Sequence, residues 1–185
     1  MRAIETIKNI WKIEDLRKRI ITTILLVLVY RVGSYVVLPG IDPANLDALR
    51  NQTSKGLMQL LDMFSGGAFS NASIFALGIM PYITASIVIQ LLGMVMPSFQ
   101  KLQREGESGR TKLNQYTRYL TVIILLLQGP AYLVNLKVQM GSALFPSGWL
   151  FIVSSTIVLA AGSMFIMWLG ERITDKGIGL SLIHI

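Results

Sequence analysis

The sequence predicts an all-α, polytopic membrane protein. Of its 185 residues, 52% are apolar and 15% charged. A soluble globular surface usually needs about 25% charged residues. No charge falls between Asp62 and Lys101, between Arg118 and Lys137, or between Lys137 and Glu171, and the run from Ile20 to Leu38 is broken only by Arg31. A bilayer-spanning helix takes about 20 mostly apolar residues, and each stretch meets or approaches that length. A soluble core of this size can hide one such helix, not four. Four transmembrane helices are therefore expected, near 20–38, 72–97, 119–136 and 149–169.

The same composition removes several function classes. With no cysteine and a single histidine, the chain has no disulfide framework, thiol nucleophile, thiolate cluster or multi-histidine metal centre. No hydrolytic or redox motif is present. Glu105-Gly106-Glu107-Ser108-Gly109 lacks the Gly-Lys-Ser/Thr ending of a phosphate loop, so it reads as a solvated loop in which Ser108 or Thr111 caps the next helix. No catalytic residue, metal site or cofactor is expected.

Charge also orients the chain. With four spans, thirteen basic residues fall on one side, in the N-terminal tail, the 98–118 segment and the C-terminal end, against Arg50, Lys55 and Lys137 on the other. The positive-inside rule then places the N-terminus and the basic loop carrying Lys101, Arg104, Arg110 and Lys112 in the cytoplasm. The net charge of +7 is accounted for by these borders, and no nucleic-acid readout is expected.

Residues 1–19 read as a cytoplasmic amphipathic segment and not as a cleavable signal, with Ile4, Ile7, Ile10 and Trp11 at helical spacing. Arg31 costs about 2.5–3.5 kcal/mol inside a span. It must pair with protein, face an aqueous cavity, or snorkel outward. Leu57, Leu60, Leu61 and Phe64 lie at i, i+3, i+4 and i+7 and make one apolar face on a helix too short to span. Ser65-Gly66-Gly67 supplies a joint after it. The short helix is either an external amphipathic helix or a re-entrant, movable one. In the second expected span Pro81 removes a hydrogen bond and kinks the helix. Ile79 and Ile83 share a face, while Thr84, Ser86 and Gln90 need partners. Gln128-Gly129-Pro130 loosens the third span, and Gln128 makes either a structural or a gating contact.

Several strings resemble the SecY family, channel subunits of the bacterial preprotein translocase. They are Phe64-Ser65-Gly66-Gly67-Ala68, the run Ser73 to Ile83, Glu105 to Arg110 with Gln115-Tyr116-Thr117-Arg118-Tyr119, and Met167-Trp168-Leu169-Gly170-Glu171 with Ile173-Thr174 and Gly177-Ile178-Gly179. The resemblance runs from about residue 14 to 179. It implies that residues 57–66 form the plug, with Leu57, Leu60, Leu61 and Phe64 on it and Gly66 and Gly67 as its hinge. It further implies that Ile79 and Ile83 belong to the apolar pore ring, and Thr84 and Gln128 to the polar cluster of the lateral gate. The implied function is passage of unfolded preproteins across the bacterial cell membrane, with lateral release of membrane segments into lipid. The implied partners are SecE-like and SecG-like subunits and a SecA motor ATPase or a ribosome.

The family has ten spans in two inverted halves of five. Four spans are an incomplete first half, and the chain is not expected to function alone. Residues Leu180 to Ile185 can be encoded by CTG TCT CTT ATA CAC ATC, the end of a transposon adapter used for sequencing libraries, so a non-native tail is expected from about Leu180. Two competing expectations remain: a small-solute carrier built on Arg31, Gln128 and the kinked second span, and an inert fragment that inserts but transports nothing.

Overall fold

The computed structural model describes residues 13–42, 46, 57–140 and 148–177. Most of the N-terminal segment, residues 1–12, and the whole of 180–185 lie outside the described residues. Among those described there are six helices: α1 (Glu14–Gly33), α2 (Leu57–Phe64), α3 (Met80–Val95), α4 (Pro97–Arg104), α5 (Glu107–Met140) and α6 (Trp149–Lys176). One isolated antiparallel bridge joins Val37 to Ser73.

α5 and α6 are each long and apolar enough to cross a membrane, and α3 with α4 makes a third candidate bent by 102°. The protein is thus a multi-pass membrane protein. α1 misses the same measure because Arg17, Lys18, Arg19 and Arg31 crowd its apolar run. Residues 14–19 form its first turns rather than a separate surface segment. Its salt bridge from Lys18 to Glu14, 2.7 Å, is solvent-exposed and adds little stability.

Two expected spans change shape. The first ends at Gly33, not Leu38: Ser34 donates its backbone N–H to Tyr30 and its hydroxyl to the Arg31 carbonyl, closing the helix. Gly33 is where the Phe75 ring lies, and a side chain there would collide with it. The second begins at Met80, not near 72, so Pro81 occupies the first turn of α3 and kinks nothing. A proline there sacrifices only an N–H that has no partner in any helix.

Residues 65–79 instead form consecutive turns. Hydrocarbon tolerates such backbone only where protein satisfies its polar groups. Here Leu38 donates to the Ala72 carbonyl at 2.9 Å, Ile74 to Val36 at 3.0 Å and Ser73 to Ala68 at 3.1 Å. The Asp62 carboxylate accepts from the Ser70 N–H at 2.8 Å, tying the end of α2 to the turns beyond it.

These turns sit against α5 and α6. Leu38, Ala72, Ala76, Tyr132, Leu133 and Leu159 form the centre of the main buried cluster. Gly162 of α6 touches the Ile74 carbonyl, and Gly129 of α5 faces Thr156 of α6, where an added Cβ would come within 2.8 Å of its methyl. Small residues at such crossings let helices approach closely. Pro130 lies one residue on, yet α5 runs unbroken through it. Tyr132, almost wholly buried, donates its hydroxyl to the Phe69 carbonyl at 3.2 Å. Tyr132→Phe is expected to cost about 1 kcal/mol in reversible unfolding in detergent, by orphaning that carbonyl.

At the basic end, the expected solvated loop is mostly helix. Only Glu105 and Gly106 separate α4 from α5, with Gly106 at φ +72°. α5 starts at Glu107, so neither Ser108 nor Thr111 caps it; the Thr111 hydroxyl donates back to the Glu107 carbonyl at 3.0 Å. Arg118 bonds both carboxylate oxygens of Glu171 at 2.8 Å and joins α5 to α6.

Candidate functional site

Four sequence candidates from three separate segments line one cavity. Its volume is about 340 Å³, and Phe64, Ile79, Thr84 and Gln128 all border it. The turns 65–79 bring Phe64 at the end of α2 back against the start of α3. Ile79 is the N-cap residue of α3, and its carbonyl accepts the Ile83 N–H at 3.1 Å, so the helix opens on a bond between the two isoleucines. One turn on, Ile83 does not line the cavity and is 40% exposed.

The two polar candidates differ in their bonding. The Thr84 hydroxyl donates to the Met80 carbonyl at 3.0 Å and is satisfied within its own helix. Gln128 is exposed and makes no hydrogen bond among the described residues. Its amide is therefore free to meet a further group. Tyr132 and Asn135, which the sequence reading did not single out, also line the cavity. Helical spacing marks both: they stand four and seven residues after Gln128, on the same face of α5.

No charged side chain borders the cavity among the described residues, and no acidic or histidine cluster there could hold a metal ion. The lining is mainly aliphatic and aromatic with a few neutral amides and hydroxyls. It can hold apolar matter and exclude water.

A second cavity of about 220 Å³ lies between α1 and α6, lined by Leu26, Tyr30, Ile166 and Leu169 among others. Phe64 and Ile79 border both cavities and so form the partition between them.

Of the short helix, Leu60 is 53% exposed and Phe64 70%. The side chains of Leu57 and Leu61 lie outside the described residues. Gly66 and Gly67 both take left-handed backbone, with φ of +59° and +87°. Arg31 lines neither cavity. It donates to the Gly66 carbonyl at 2.6 Å, and Tyr30 donates to the Ser65 carbonyl at 2.6 Å. That pairing gives Arg31 a protein partner. Among the described residues Arg31 and Gln128 line no common cavity.

Lys101, Arg104, Arg110 and Lys112 are exposed around the α4–α5 turn. Lys112 reaches Glu105 at 3.9 Å, both partners well solvated. From Lys112 to Gln128 along α5 is about 24 Å, which puts the basic group at the opposite end of the helix from the cavity.

A family model described as SecY matches residues 73–185. The chain is 45% identical over 175 residues to protein translocase subunit SecY of Buchnera aphidicola subsp. Schizaphis graminum, covering 93% of this chain and 40% of that protein. The Escherichia coli K12 protein of the same name is 46% identical over 168 residues, covering 89% and 38%. That of Haemophilus influenzae is 47% identical over 166 residues, covering 89% and 37%. The chain spans about two fifths of the length of these relatives.

Proposed function

The chain belongs to the SecY family, and on that premise we propose that it supplies part of the wall, plug and lateral gate of a protein-conducting channel. Unfolded preproteins would pass its apolar constriction, and membrane segments would leave sideways into lipid. The observation that carries this reading is the convergence of Phe64, Ile79, Thr84 and Gln128 on one uncharged cavity. A flexible aliphatic constriction closes around any side chain and leaves little room for hydrated ions, and hydrophobic constrictions gate by dewetting.

Within this reading, α2 is the plug, Gly66 and Gly67 its hinge, Ile79 and Ile83 ring residues, and Thr84 and Gln128 gate residues. The N-terminus and the basic α4–α5 end face the cytoplasm, following the distribution of lysine and arginine. There Lys101, Arg104, Arg110 and Lys112 would meet a SecA motor ATPase or a ribosome. SecE-like and SecG-like subunits would complete the assembly. The channel does no covalent chemistry, and the work comes from the motor, from translation or from the membrane potential.

The test is a graft. Residues 14–177 replace the matching segment of the Escherichia coli relative in cells depleted of their own channel. Export of a secreted reporter is expected to be restored. Stable insertion of the graft with no export would overturn the reading.

A further inference from the structure

We propose that Tyr30 and Arg31 form a latch that holds α2 in its seated position by gripping the carbonyls of its glycine joint. The proposal rests on reading α2 as a movable plug. The two donors are adjacent at the end of α1, and their acceptors, Ser65 and Gly66, are adjacent in the joint, each pair meeting at 2.6 Å. The Arg31 bond is charge-assisted and stronger than a neutral one. Gly66 is enclosed by the grip: an added Cβ would lie 3.4 Å from the Arg31 guanidinium and 3.7 Å from the Tyr30 ring. At Gly67 the same atom would meet nothing within 4 Å. The two glycines are therefore unlike, one clamped and one open.

The donors are themselves held in place. Tyr30 stacks on Phe75 with ring planes 1° apart and centroids at 5.8 Å. Phe75 in turn occupies the space that Gly33 leaves. Arg31 also lies over the Tyr35 ring at 5.9 Å. Swinging α2 outward about its joint requires both bonds to break. The pair are positioning residues for the closed state. Neither lines the first cavity.

The absence of native cysteine makes the latch directly measurable. Spin labels at cysteines replacing Leu60 on α2 and Lys137 on α5, both exposed, report the seat of α2 in lipid vesicles. A second pair at Val134 and Val153 reports the α5–α6 packing. The parent is expected to give one narrow distance for each pair. Tyr30→Phe, which keeps the ring, is expected to raise the displaced population of α2 about fivefold, and Arg31→Gln about tenfold, with Arg31→Lys restoring most of the seating. The Val134–Val153 distance stays fixed. An unmoved α2 in both variants overturns the latch, as does a shift of both distances together. Ion leak through the grafted channel separates this proposal from its premise. Displaced α2 without added leak defeats the plug reading but not the latch. Leak on deletion of α2, with α2 still seated in both variants, does the reverse.

Discussion

Glycine at Ile79 and Ile83 together is expected to raise resting ion leak through the grafted channel by about tenfold or more, since losing each isoleucine removes apolar, water-excluding surface worth roughly 2 kcal/mol. Ile79 should dominate. It borders both cavities beside Phe64, whereas Ile83 stands one turn along α3 and is 40% exposed. Its loss opens the partition directly. Conductance across planar bilayers measures the effect, with the single variants ranking Ile79→Gly above Ile83→Gly. Equal leak from parent and double variant would remove the ring assignment.

Gly162→Leu is expected to be strongly destabilising. Its Cβ would strike the Ile74 carbonyl and crowd the Phe75 ring at 3.2 Å. Neither neighbour yields cheaply: the carbonyl belongs to the turn network, and Phe75 is stacked on both Tyr30 and Phe165. Overpacking of this kind costs about 1–3 kcal/mol, and here the upper end applies. A thermal midpoint in detergent lower by roughly 5–10 °C is the expected reading. Ile157→Leu, on an exposed position of α6, serves as the neutral comparison.

Charge-free length was enough to mark α5 and α6, because nothing but a membrane makes long uncharged runs economical for a chain this small. The i, i+3, i+4 spacing likewise marks α2. The second apolar run misled for a physical reason: hydropathy is the same whether backbone is helical or folded into turns. Punctuation was present in the residues. Gly78, with φ +56°, stands three before Pro81, and that order suits a turn opening a helix better than a kink within one. Ala72, with φ +45°, gave no such warning. The partners of Tyr30 and Arg31 lie 35 residues away and leave no local trace.

At the joint, proline is incompatible with the backbone of the seated state. Proline holds φ near −65°, against +59° and +87° at Gly66 and Gly67. It also deletes the N–H that Gly67 gives to the Asp62 carbonyl at 2.9 Å. Gly67→Pro should therefore unseat α2 rather than lock it. Of the cavity, Phe64, Ile79, Thr84 and Gln128 could be named from the residues alone, but their meeting could not, because it depends on the path of the turns.

Those turns also constrain how the protein is made. The Ile74 carbonyl rests against Gly162, about 20 Å from the start of α6 and so near mid-bilayer. Residues 65–79 leave the ribosome long before α6 exists, and at about 5–20 residues per second the delay is on the order of ten seconds. Their bonds to Val36 and Leu38 can form within the early chain, but the close packing that Gly162 of α6 supplies cannot. Integration of the early chain therefore finishes out of order with its synthesis.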